Sequence, residues 1–131
     1  MTALKPYGLS RDERLRGKTR IDRLFKDGRS VISFPYRAVF AENDTGNVAI
    51  MVSIPKKGFK HAVDRNLLRR RTKETYRLNK IRLMETLNGK GLDIAIIYID
   101  KNITETPFLQ KKMCGLLDKI AVETTKVLWE K

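Results

Sequence analysis

Residues 92–99, LDIAIIYI, are nearly continuous apolar sequence, the pattern of a central strand covered on both faces and often paired in parallel. A second strand-like segment, Asn47 to Ile54, is closed by Pro55. Between them the periodicity predicts the longest helix of the chain, from about His61 to Leu87, capped by Asn88-Gly89-Lys90-Gly91. A strand, helix, strand unit from about residue 48 to 99 follows. That unit commits the chain to a sheet with helices packed on it. On general grounds its crossover is right-handed.

The flanking segments complete the order. Met1 to Ser10 holds Pro6 and Gly8 without apolar periodicity and reads as a flexible arm, with Ser10 resembling a helix cap. A first helix runs from about Thr19 to Lys26, with Ile21, Leu24 and Phe25 on one stripe, and ends at Asp27-Gly28. From Ser30 to Ala41 β-branched and aromatic residues dominate, and Pro35 splits the run into a short edge strand and a longer one. Glu42 to Gly46 reads as a hairpin turn joining this strand to Asn47–Ile54. A last helix starts with Thr106 as cap and Pro107 at its first position, with the stripe Leu109, Met113, Leu116, Leu117, Ile120, Val127 and Leu128. With 131 residues the chain is read as one domain, 1–131, of α+β class. Its order is α-β-β-β-α-β-α, with about four strands in a single sheet packed with helices as a two-layer sandwich.

The chain carries 28 Lys and Arg against 15 Asp and Glu, a net charge of +13. The excess is concentrated: residues 56–82 hold 11 basic and 2 acidic groups, whereas 83–131 hold 7 of each. Such a stretch suits a polyanion whose phosphates run past it. Around a wheel of 100° per residue, Val63, Leu67, Leu78 and Ile81, widened by Leu68 and Thr75, form the expected core side of the long helix. Arg65, Arg69, Arg70, Lys73, Arg77 and Lys80 form a basic face, with Asn66 and Tyr76 among them. Arg71 falls within the apolar stripe and must snorkel or pair with Glu74. Lys56, Lys57 and Lys60 add a basic loop before the helix.

Other chemistries find little material. No apolar run reaches the roughly 18 residues of a membrane helix, and the N-terminus is charged where a signal peptide is apolar. The expectation is a soluble, cytoplasmic protein that needs neither membrane nor small-molecule substrate. One cysteine, Cys114, and one histidine, His61, are too few for an internal disulfide or a structural zinc site. Cys114 sits in the apolar pattern of the last helix and is expected in the core. Asp64 and Glu74 read as charge partners of nearby arginines rather than metal ligands. No catalytic or metal residue is expected.

The stretch from Lys56 to Lys80, which opens KKGFKHAVDRNLLRRRTKETYR, resembles the signature of the bacterial ribonuclease P protein subunit. Its Lys-Lys loop, Ala62-Val63 pair, Arg65-Asn66 and the basic Arg69, Arg70 and Lys73 carry the likeness, and RIDRLFKDGRSV resembles that family's first helix and exit. Two departures stand out. The loop between Lys57 and Ala62 is one residue longer than the usual pattern, and Ile21 occupies one of two first-helix positions, four apart, that are often aromatic.

The resemblance implies a left-handed βαβ crossover, and this specific motif outweighs the general rule. It also implies binding to a large catalytic RNA that removes the 5′ leader of precursor tRNA, with the RNA holding Mg2+ and performing the hydrolysis. Lys56, Lys57, Lys60, Arg65, Asn66, Arg69, Arg70, Lys73, Arg77 and Lys80 would meet RNA. Ile21, Phe25, Arg37 and Val39 would line a cleft for the single-stranded leader. Two alternatives stay open: a structural or ribosome-associated RNA-binding protein, and, for Ile21 and Phe25, simple packing of the first helix onto the sheet.

Overall fold

The computed structural model describes residues 14–129, with side chains described through Thr124. The expected arm at 1–10, the Ser10 cap and the side chains of Val127 and Leu128 lie outside them. The element order is α1 (Lys18–Asp27), β1 (Arg29–Ser33), β2 (Tyr36–Asn43), β3 (Val48–Ser53), α2 (Ala62–Leu87), β4 (Gly91–Tyr98) and α3 (Thr106–Trp129). This is the α+β arrangement expected, with four strands in one sheet.

Strand order differs from the expected hairpin. The sheet runs β1-β2-β4-β3, with β4 antiparallel to β2 and parallel to β3. Residues 42–46 therefore do not close a hairpin between β2 and β3; the antiparallel hairpin is β1–β2, turning at Phe34-Pro35. Burial explains the change. Seven of the eight β4 residues are buried, so the strand gains most by taking an interior slot between two partners. The 42–46 segment instead spans the start of β4, where Gly91 passes the Asn43 side chain so closely that a Cβ would lie 1.9 Å from Asn43 Oδ1.

Alternate strand residues serve two apolar clusters. On one face Phe40, Ile50, Leu92, Ile94 and Ile96 pack with Leu68 and Leu83 of α2 and Leu109, Met113, Leu116 and Ile120 of α3. On the other, Val39, Ala49 and Ala95 pack with Leu24 of α1 and with Leu15. Both faces are thus covered, one by two long helices and the other by one short one. The Leu15 N–H donates to the Ile50 carbonyl at 2.8 Å, which lays the segment before α1 along the outer edge of β3. Glu105, rather than Thr106, supplies the capping carbonyl of α3.

The long helix is rotated relative to expectation. Its buried residues are Leu68, Thr72, Thr75, Tyr76, Lys80, Leu83 and Leu87, whereas Val63 is 77% exposed and Leu78 is also exposed. Burial of the two threonines here is compensated by hydrogen bonds. The Thr72 hydroxyl meets Tyr36 Oη at 3.0 Å, and Thr75 Oγ1 donates to the Thr72 carbonyl at 2.8 Å. Burial pushes the Tyr36 hydroxyl above its ordinary pKa. Arg71 neither pairs with Glu74 nor enters the core; its Nη1 donates to the Thr104 carbonyl at 2.9 Å. Cys114 is half-buried, its sulfur 3.6 Å from Arg82 Nη1, instead of lying in the core.

Gly28 sets the approach of α1 to the sheet. Its φ of −75° is open to any residue, but a Cβ would lie 2.4 Å from the Leu24 carbonyl oxygen and 2.7 Å from Val39 Cγ1. Space is therefore the constraint. Gly28→Ala is expected to destabilise the protein by about 1–3 kcal/mol through forced separation of helix and strand, read from urea unfolding midpoints.

Candidate nucleic-acid interface

On α2 the outward residues at helical spacing are Asn66, Arg70 and Lys73, followed by the half-buried Arg77. They form one row roughly 16 Å long at 1.5 Å per residue. Arg69 lies beside the row, its Nη1 donating to Asn66 Oδ1 at 3.0 Å. An open groove of about 430 Å³ follows this surface, and Arg14 contributes to its lining. Among the described residues the groove presents five cations, Arg14, Arg69, Arg70, Lys73 and Arg77, against one carboxylate, that of Glu74, which is held by Arg77. Such a concave surface concentrates positive potential where a phosphate backbone can enter.

The loop before α2 is anchored from beneath. Phe59 is buried, with its ring 5.7 Å from that of Tyr98, and Tyr98 in turn meets Tyr36 edge-on at 5.9 Å. Phe59 N–H donates to the Lys56 carbonyl at 3.2 Å, closing the turn that leaves Lys56, Lys57 and Lys60 exposed. Arg65 reaches back from α2, its Nη1 donating to the carbonyls of Phe59 at 2.7 Å and Lys60 at 3.0 Å. Part of this guanidinium is thereby committed to holding the loop. The loop buries Phe59 and turns the lysines outward.

A second surface lies on the face that α1 covers. Ile21 is half-buried against the cluster that includes Met51 and Ile97, while Phe25 on the next turn is 45% exposed. Arg37 is exposed on β2, in register with exposed Ile32 on β1 and half-buried Ile97 on β4. Val39 is buried beside Ala95 and Leu24, so it is floor beneath the cleft rather than accessible lining. Packing thus accounts for Ile21 and leaves Phe25 open. Arg20 joins α1 to β4 through Asp93, and this hydrogen-bonded carboxylate raises the guanidinium pKa against the lowering effect of burial.

A model of the family described as Ribonuclease P matches residues 9–121 of this chain. The chain belongs to the ribonuclease P protein family. The ribonuclease P protein component of Porphyromonas gingivalis is 31% identical over 126 residues, covering 92% of each chain. Among solved structures, the RNase P protein of Thermotoga maritima superposes with a TM-score of 0.68 at 26% identity, over 82% of this chain and 96% of that one. The Staphylococcus aureus RNase P protein does so with 0.69 at 22% identity, over 82% and 94%. The family is that of the protein component of a tRNA-processing ribonuclease.

Within this ribonuclease P protein, one expected RNA-facing residue moves to the interior. Lys80 is 1% exposed, on the inward stripe with Tyr76 and Leu83, so the outward row of α2 runs through Asn66, Arg70, Lys73 and Arg77, and Lys80 drops out of the expected basic face. In a folded Lys80→Met variant the salt dependence of RNA affinity should match that of the parent, because no surface cation is lost. A slope lowered as much as by Arg70→Ala would contradict this placement. Arg14 is the groove residue that sequence reading missed. Nothing local marks it among the nine basic residues of 1–30; only the pairing beside Ile50 brings it near α2. No helix among the described residues is long and apolar enough to cross a membrane.

Proposed function

We propose that the protein binds the RNA subunit of ribonuclease P along the groove of α2 and receives the 5′ leader of precursor tRNA in the cleft beside α1. It thereby assists removal of the leader in the cytoplasm. The observation that carries this reading is the outward row of Asn66, Arg70, Lys73 and Arg77 in a groove lined, among the described residues, by five cations and one carboxylate. Arginine forks grip phosphate oxygens two at a time and stack on exposed bases, whereas Lys73 and the loop lysines act as point charges. On the other surface Phe25 offers a ring for base stacking, and Arg37 offers a cation for the leader backbone. The reading assigns hydrolysis and its Mg2+ ions to the RNA subunit, and no reacting group to the protein.

The test is cleavage of a leader-bearing precursor tRNA at low magnesium with a bacterial ribonuclease P RNA alone, this protein alone, and both together. Cleavage at the mature 5′ end only in the mixture is expected. Correct cleavage by the isolated protein would overturn the division of labour. Preference for ribosomal RNA over both ribonuclease P RNA and precursor tRNA would overturn the assignment of partners.

A further inference from the structure

Asp93 is the only charged residue of β4, and its register partners are Ala41 on β2 and Ala49 on β3. These two small side chains leave room above the sheet, and Arg20 of α1 enters it. Arg20 Nε donates to Asp93 Oδ2 at 2.9 Å and Nη2 donates to Oδ1 at 2.5 Å. Asn43 Nδ2 donates to the same Oδ1 at 2.8 Å and to the Asn47 carbonyl at 3.1 Å. The carboxylate is thus held by groups from α1 and from the end of β2, and its side chain is only 11% exposed.

An apolar pair of similar volume would also hold helix and sheet together, because burying the Asp93 carboxylate, even paired with the partly exposed Arg20, carries a desolvation cost. What the bidentate pair adds is direction, since the planar guanidinium and carboxylate meet in one plane. Direction matters for this helix. Leu24 is the only fully buried residue of α1, and Ile21, half-buried against the same cluster, lies on the same stripe, so apolar packing along this one line leaves the roll of the helix weakly defined. Ile21 follows Arg20 in sequence and Phe25 lies one turn further, so any roll carries both across the cleft.

We propose that Arg20 and Asp93 are positioning residues for leader recognition: their pair fixes the roll of α1 about Leu24 and so holds Phe25 where it faces the leader. The inference rests on the leader-binding reading above. It differs from a purely structural role because it predicts a defect that depends on leader length.

The experiment uses the holoenzyme reconstituted with ribonuclease P RNA, and measures affinity for precursor tRNAs with short and long leaders and for mature tRNA. The variants are Arg20→Met, Arg20→Lys, and Arg20→Met combined with Asp93→Leu, which leaves no charge buried if the first fails to fold. Arg20→Met and the double variant are expected to lose about tenfold of the preference for the long leader, with Arg20→Lys retaining part of it. Affinity for the RNA subunit and for mature tRNA should stay at the parent level. An unchanged leader preference in a folded Arg20→Met or double variant overturns the proposal. Equal weakening toward mature tRNA and both precursors also overturns it, since that is the signature of general destabilisation. If the parent holoenzyme shows no leader preference, the leader-binding reading itself fails and the positioning role falls with it.

Discussion

Replacing Arg69, Arg70 and Lys73 together by alanine is expected to flatten the slope of log RNA affinity against log salt by about 2 to 3, at 0.7–0.9 per lost phosphate contact. All three line the groove on α2, and none lies on the buried stripe of that helix. The loss should therefore appear in binding and leave the melting temperature nearly unchanged. Filter binding or fluorescence titration across a salt series reads the slope, and the fitted line at low salt reads the remaining affinity. A slope equal to the parent's would remove the groove from the interface, whatever the affinity did. Arg65 behaves differently from these three, because its guanidinium also ties down the loop bearing Lys56, Lys57 and Lys60. Its loss should disturb both the surface and the loop beside it.

Ile94→Ala is expected to destabilise the protein by about 2–5 kcal/mol and to lower its melting temperature by roughly 10–20 °C. Ile94 has no exposed surface and lies in register between Phe40 of β2 and Ile50 of β3, where rigid neighbours cannot close over the missing atoms. Val63→Ala should change stability by less than about 0.5 kcal/mol, since that side chain is 77% exposed at the start of α2. Thermal denaturation of the two variants side by side tests the observed rotation of α2. A large loss for Val63→Ala would restore the face expected from apolar spacing.

That rotation shows where linear reading stops. Hydrophobic spacing succeeds when the buried side of a helix is its greasiest side, as in α3, where Leu109, Met113, Leu116, Leu117 and Ile120 are all buried as expected. On α2 the inward stripe includes Thr72, Thr75 and Lys80, and the outward side includes Val63 and Leu78. The apolar and buried faces therefore separate. Thr72 tolerates burial because the Tyr36 hydroxyl reaches it from β2, 36 positions away, and no helical wheel contains that partner. The same separation placed Lys80 on the wrong side, whereas Arg14 stayed out of view because only its pairing beside Ile50 brings it near α2. Of the residues expected in a leader cleft, Phe25 and Arg37 are exposed, whereas Val39 is buried beside Leu24 and Ala95 in the smaller cluster.

By itself the amino-acid sequence determined the elements, their order, the central place of β4 and the concentration of charge in residues 56–82. These depend on composition and on spacing along one segment, where burial and backbone propensity act locally. Only the tertiary structure decided that β4 separates β2 from β3, that α2 turns Asn66, Arg70 and Lys73 outward, and that Arg20 meets Asp93 across 73 residues. Each of these is settled by a partner distant in sequence, because the gain from burying an apolar strand or satisfying a buried polar group exists only once both sides have come together.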